Sequence, residues 1–347
     1  MLTDSTSVRH TPIHAHFARL LPLFVSERAA GRPMVLATLV RSAGSTYRKP
    51  GAQMLLTRQG DYAGLLSGGC LESDLREHAA QITETLQASL IEYDLRNDDD
   101  PVFGLGAGCE GAMEILLQPV SAANHWQPMA QLARNWHAHR DETVRLMSVT
   151  STPVPLGSVW LANGDIVTPS GERIHHATDD GWFTLPSVLS PRLLILGAGP
   201  DAEPLGAMAG LLGWKYSVFD HRPANLNPQR FAHAEALHHG RAEQLQQVVT
   251  LADYDAVIVM SHHLDSDISY LRQLAYSAIR YVGLLGPAAR REKLFRDLGN
   301  DIGALRERLH APVGLDIGAA TPEAIALSII AQVHQMLSKE SSPDRAR

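Results

Sequence analysis

Cys70 and Cys109 are the two cysteines of the chain, and each stands among glycines. Cys70 follows Gly68 and Gly69 and precedes Leu71-Glu72, at the start of a predicted helix over Glu72–Leu86. A sulfur near a helix N-terminus is stabilised as thiolate by the dipole, and so becomes nucleophilic or metal-ligating. Cys109 lies in a stretch where Gly104, Gly106, Gly108 and Gly111 crowd together before a predicted strand, Ala112–Leu117. Glycine costs backbone entropy inside an element, so this reads as a loop pressed against a ligand. Soft thiolates in two such loops suit a thiophilic metal or sulfur transfer, and a shared site is expected. The plainer alternative is two small side chains filling corners. No C-x-x-C or H-E-x-x-H pairing supplies a zinc ligand set.

Ser45, Thr46, Arg48 and Lys49 offer donors and positive charge beside Gly44 and Gly51, which suits a phosphate-bearing ligand. A solvated turn is the alternative, and the spacing is not that of a Walker A loop. Further on, the apolar run Arg192–Leu196 enters Gly197-Ala198-Gly199 and a helix over Asp201–Leu212. Gly197 permits a tight turn, Gly199 a close approach of phosphate to backbone, and Ala202 close helix–strand packing. Asp220 ends the second strand, roughly 20 residues on, where a ribose-binding carboxylate is placed in dinucleotide folds. Pro200 removes one N–H from this turn. The alternative is a tight strand–helix turn without a ligand.

After a later strand, Ala256–Met260, come His262, His263, Asp265 and Asp267. Ligands of doubly wound sheets bind outside the carboxyl ends of strands, so His262 and Asp265 are candidate contacts. The competing reading is a polar loop with Asp267 as N-cap, and 17 histidines make any single one weak evidence.

The elements that must position these residues fall into two groups. Strand-like and helical segments from His14 to Pro119 mix without a regular order, indicating a mixed α/β N-terminal domain, taken as residues 1–150. Residues 151–190, with Pro, Gly and polar runs, read as a linker with short strands. From 191 to 340, apolar strands alternate with helices, indicating a Rossmann-like, doubly wound parallel sheet. Thr321-Pro322 caps the last helix, and 341–347 reads as a flexible tail. The chain has 347 residues, 45% of them hydrophobic and 19% charged, with net charge −7. That balance fits a soluble, folded protein and leaves no electrostatic footprint for nucleic acid. With no signal-peptide pattern, no membrane-length apolar run and no disulfide framework, a reduced, cytoplasmic protein is expected.

Taken together, these blocks resemble the XdhC/CoxI family, accessory factors of molybdenum hydroxylases such as xanthine dehydrogenase and carbon monoxide dehydrogenase. The matching stretches are GSTYRKPGAQML, SGGCLESD, GLGAGCEGAMEILLQP, LLILGAGPDAEPL, VFDHRPAN, VIVMSHHLDSD, YVGLLGP and APVGLDIGAATPEAIALSI, in that order. Where many relatives have two glycines after the second cysteine, this chain has Glu110 and then Gly111. The resemblance implies an N-terminal XdhC/CoxI domain and a C-terminal Rossmann domain. It also implies that the protein binds molybdenum cofactor (molybdopterin) and assists its sulfuration and insertion into the apoenzyme. A cysteine desulfurase and the molybdenum hydroxylase are the partners it implies. Carried onto this chain, the loops of Gly68, Gly69 and Cys70 and of Gly108 and Cys109 are the cofactor-site candidates, with a molybdenum contact through the thiols. Ser45, Thr46 and Arg48, or Gly197 and Gly199, are then the phosphate contacts. Read alone, Gly197, Gly199 and Asp220 instead suggest an NAD(P)- or FAD-dependent oxidoreductase, or a CTP-type nucleotide site; a non-catalytic scaffold is a third possibility. A homodimer is the default assembly.

Overall fold

The computed structural model describes residues 16–69, 71–94, 111–150, 152–175, 177–299 and 301–340. Its chain divides into two compact units between Leu189 and Ser190.

In the first unit, helix α1 (His16–Ala29) leads into β1 (Met34–Gly44). Strands β2 (Gln53–Thr57) and β3 (Tyr62–Gly64) form a hairpin, followed by α2 (Glu72–Thr85), β4 (Ser89–Asp94), β5 (Gly111–Val120) and α3 (Met129–Ala138). The five strands form an antiparallel sheet in the order β3-β2-β1-β5-β4. Side chains alternate across a pleated strand, and β1 uses both faces. Val35, Ala37 and Leu39 pack with Leu71, Leu75, Ala79 and Ile82 around α2. Met34, Leu36 and Val40 pack with Phe17, Leu20 and Phe24 of α1 and with Leu132 and Trp136 of α3. A two-sided apolar strand of this kind reads as a continuous hydrophobic run, which is how β1 was legible. Register ties Met34 to Val120 at one end and Gly44 to Gly111 at the other. Gly44 and Gly111 therefore lie side by side at that end of the sheet.

Residues 151–190 hold the short strands expected of them, but these pack within the first unit rather than forming a linker. Strands β6 (Val144–Met147), β7 (Val159–Leu161), β8 (Ile166–Val167), β9 (Arg173–Ile174) and β10 (Trp182–Thr184) build a second antiparallel sheet, ordered β10-β6-β7-β8-β9. Val154, Val159, Ile166, Leu185 and Val188 are buried. They sit in short apolar stretches broken by prolines, glycines and polar residues, and their burial fastens the segment into the first unit.

The second unit is a six-stranded, all-parallel sheet in the order β13-β12-β11-β14-β15-β16. Its elements are β11 (Arg192–Leu196), α4 (Ala202–Leu211), β12 (Lys215–Asp220), β13 (Ala236–His239), α5 (Leu245–Val248), β14 (Ala256–Val259), α6 (Leu264–Ala275), β15 (Tyr281–Leu284), α7 (Ala288–Leu298), α8 (Asp301–Leu305), β16 (Leu309–His310) and α9 (Pro322–Glu340). Leu193 and Ile195 pack under α4 and α9, while Leu194 and Leu196 pack under α6 and α7. This is the doubly wound Rossmann arrangement, with strand order reversing between β11 and β14, where such sheets bind ligands. Among the described residues, no helix is long and apolar enough to cross a membrane.

Candidate functional site

Three motifs of the first unit converge at the Gly44–Gly111 end of its main sheet. The turn after β1 is closed by Thr46, whose Oγ1 donates to the Arg48 carbonyl at 2.7 Å. Ser45 is exposed at its tip. Arg48 Nε reaches the Leu65 carbonyl at 3.2 Å, linking this turn to the segment that leads into Ser67-Gly68-Gly69. Gly111 opens β5 beneath the same turn. A Cβ there would lie 2.6 Å from the Ser45 carbonyl oxygen, 2.7 Å from Thr46 Cγ2 and 2.8 Å from the Ala43 carbonyl oxygen. The glycine is thus required by close approach, and Gly111→Ala is expected to lever the Ser45–Arg48 turn away from β5. The cost should be about 1–3 kcal/mol, the usual penalty of overpacking, and a thermal melt checks it: an unchanged midpoint would show that the turn yields freely.

The Ser67–Glu72 loop is held by a compact network. Ser67 Oγ donates to Glu72 Oε2 at 2.5 Å and accepts from the Gly69 and Leu71 N–H groups at 3.2 Å each. Glu72 Oε1 accepts from the Ser67 N–H at 3.1 Å, and Oε2 from the Leu71 N–H at 3.2 Å. Glu72 is 6% exposed. The first donor at the start of α2, expected from sequence to favour a thiolate, already serves a carboxylate of the chain itself. Gly69 has φ +112°, and a Cβ at Gly68 or Gly69 would meet nothing within 4 Å. The backbone of these two glycines therefore faces open space while its neighbours are pinned. Cys70, Gly108 and Cys109 lie outside the described residues. Ser67 and Glu72 were missed as positioning residues because their separation is not that of an S-x-x-E capping box.

In the Rossmann unit, Gly197 (φ +124°) donates its N–H to the Phe219 carbonyl at 2.9 Å, and a Cβ there would collide with the Met260 carbonyl. Asp220 does not present a free carboxylate for ribose. It is 1% exposed; Oδ2 accepts from the Ala198 N–H at 2.7 Å and Arg222 Nη2 at 2.8 Å. Its Oδ1 accepts from the Arg222 N–H at 2.8 Å and Nε at 3.0 Å. Burial pushes its pKa up, but these bonds and the guanidinium charge outweigh it and hold the carboxyl below the usual range. Asp220 acts as a clamp that fixes the glycine turn to the end of β12.

His262, at φ +59°, brings Nε2 to 2.8 Å from Asp201 Oδ2. Asp265 is exposed on the first turn of α6. Asp267 is not the N-cap of α6. His263 takes that position, its ring accepting from the Ser266 N–H at 3.4 Å. Asp267 instead points inward, accepting from Ser261 Oγ at 2.5 Å and Arg290 Nη2 at 2.6 Å. A short polar side chain near a helix start reads as a cap, but an arginine on α7, distant in sequence, draws this one inside. Burial, with the nearby charges of Asp220 and Asp267, pushes the Tyr270 hydroxyl up, so it stays a protonated donor. Among the described residues, no group of three or more His, Cys, Asp or Glu could hold a metal ion.

Comparison with known proteins bears on both units. Residues 27–94 match the XdhC and CoxI family, and residues 193–333 match the XdhC Rossmann domain. The chain is 31% identical over 324 residues to a protein of Bacillus subtilis (strain 168) described as a probable subunit of xanthine dehydrogenase, covering 87% of this chain and 92% of that protein. It is 26% identical over 272 residues to the molybdenum cofactor insertion chaperone PaoD of Escherichia coli (strain K12), covering 77% of this chain and 71% of that one. A crystal structure described as a xanthine dehydrogenase from Bacillus halodurans aligns with a TM-score of 0.79 and 30% identity, over 94% of this chain and 98% of that chain. With both units matched, and a relative of this identity aligned over most of its length, the chain belongs to the XdhC and CoxI family.

Proposed function

We propose that this protein is an accessory factor that binds molybdenum cofactor and delivers it to a molybdenum hydroxylase of the xanthine dehydrogenase or carbon monoxide dehydrogenase type. The observation that carries the reading is the convergence at the Gly44–Gly111 end of the main sheet. There, the Ser45–Arg48 turn lies against Gly111, the first residue of β5, and Arg48 is tied to the Leu65 carbonyl in the segment that leads into the pinned loop of Gly68 and Gly69. In sequence, Cys70 falls between Gly69 and Leu71, both held by Ser67, and Cys109 stands two positions before Gly111. Open backbone at Gly68 and Gly69 suits the flat pterin, and Arg48 with Ser45 and Thr46 suits its phosphate. In this reading Cys70 and Cys109 face the molybdenum centre, whose dithiolene and sulfido chemistry matches soft thiols. Gly108 is assigned to the pterin contacts in the same reading.

The names of the relatives support the delivery role: one is a molybdenum cofactor insertion chaperone and another is described as a probable subunit of xanthine dehydrogenase. Sulfuration of the cofactor in the bound state, with a cysteine desulfurase as partner, extends the same reading, as do a homodimer and a cytoplasmic location. Residues 1–150 form the cofactor unit, to which 151–190 adds a small sheet, and 191–340 the second unit. An NAD(P)-, FAD- or CTP-type ligand in that unit has the strand topology in its favour. Asp220, engaged by Ala198 and Arg222, counts against the usual ribose contact.

The test is retention of cofactor. Protein purified from cells that make molybdenum cofactor is analysed for molybdenum by elemental mass spectrometry and for pterin by fluorescence after oxidation. The double variant Cys70→Ala/Cys109→Ala should retain at least about tenfold less of both, on the scale expected when metal-site ligands or their close supports are removed. Undiminished retention would remove the thiols from the site.

A further inference from the structure

The Rossmann turn carries its own occupant. In dinucleotide folds the second glycine of the turn lacks a side chain so that a diphosphate can approach the backbone. Here that space is filled from within: a Cβ on Gly199 would lie 2.7 Å from Asp201 Oδ1 and 3.8 Å from His262 Cδ2. Asp201 Oδ1 is buried without a hydrogen-bond partner, and Oδ2 is tied to His262 Nε2 at 2.8 Å. The opposite side of the turn is tied down as well, with Arg230 Nη2 donating to the Gly199 carbonyl at 3.2 Å and Nε to Glu203 at 2.6 Å. Pro200 supplies no N–H, and Asp220 is closed by Ala198 and Arg222. A phosphate arriving at Gly199 would meet a carboxylate at contact distance, with the ribose-binding acid already engaged.

We propose that Asp201 determines the specificity of this crevice by holding the phosphate seat with its own carboxylate, so that the unit excludes NAD(P), FAD and CTP-type ligands from the turn. The carboxylate–imidazole pair of Asp201 and His262 leaves the crevice open to groups that are neutral or cationic and carry hydrogen-bond donors. This goes beyond the cofactor-delivery reading and does not depend on Cys70 or Cys109; failure of either leaves the other standing.

The experiment is a calorimetric titration of the full-length protein with NAD+, NADP+ and CTP, for the wild type, Asp201→Ala and Asp201→Asn. Circular dichroism and a thermal melt establish that each variant is folded. The wild type should bind all three no tighter than about 1 mM, the weak end of specific recognition. Asp201→Ala should bind at least one of them about tenfold or more tighter, since a like charge leaves the seat. Asp201→Asn, which keeps the shape without the charge, should fall between them. Micromolar binding by the wild type would overturn the proposal. So would folded Asp201→Ala protein that binds no better than the wild type.

Discussion

Asp220→Asn is expected to destabilise the protein by about 2–3 kcal/mol at neutral pH, the cost of breaking a buried ion pair reduced because Arg222 is itself half-exposed. The carboxylate meets four donors: the Ala198 N–H and the Arg222 N–H, Nε and Nη2. An amide of the same shape must turn an NH2 toward some of them and leaves the guanidinium without its counter-charge. The effect has a definite pH dependence. Because the folded-state carboxyl is held below its unfolded range, its stabilisation is complete above about pH 4–5, where an unfolded aspartate is ionised, and is lost as pH falls toward the folded value. The gap between wild type and Asp220→Asn in denaturant unfolding should therefore be full at pH 7 and shrink below pH ~4. A gap that widens on acidification would mean that the Arg222 pairing does not stabilise the fold.

Glu72→Ala is the second large effect. Its carboxylate accepts from the Ser67 N–H, the Ser67 hydroxyl and the Leu71 N–H, all inside a loop with little access to water. Deleting it leaves buried donors unsatisfied, at about 1–3 kcal/mol. The consequence for function should be larger, since Gly68 and Gly69 lose the support that fixes their path. Retention of molybdenum and pterin should fall at least about tenfold, as when groups supporting metal ligands are removed. Glu72→Gln, which keeps one acceptor oxygen, should recover part of the stability and of the retention. Full retention by folded Glu72→Ala would show that the loop needs no clamp.

What the sequence displayed and what it hid follow a physical pattern. Strands β11, β12, β14 and β15 are covered on both faces, so they stand out as apolar runs, and the glycine turn after β11 marks the fold directly. The edge strand β13 was invisible: Ala-Leu-His-His has no apolar alternation and pairs on one side only. Short strands were expected between residues 151 and 190, but their pairing into one sheet was not legible, because strands of two to four residues carry too little periodicity to show their partners. Spacing found Gly197, Asp220 and His262 but not what their polar atoms face. Asp220 meets Arg222, His262 meets Asp201, and Asp267 meets Arg290 across the unit, contacts that only folding creates. The turn at Ser45–Arg48 and the loop at Gly68–Gly69 were each legible as glycine-flanked polar motifs. Their link was not, since it runs through Arg48 Nε to the Leu65 carbonyl, a contact that only folding creates.

Delivery of molybdenum cofactor is tested most directly by a transfer assay. Full-length protein isolated from cofactor-producing cells is mixed with a molybdenum hydroxylase apoenzyme purified from cells that lack the cofactor. Hydroxylase activity and enzyme-bound molybdenum are then followed together. Both should rise with the amount of wild-type protein added and stay at background with Cys70→Ala/Cys109→Ala. Wild-type protein that carries no cofactor, or carries it and leaves the apoenzyme inactive, would contradict the delivery role.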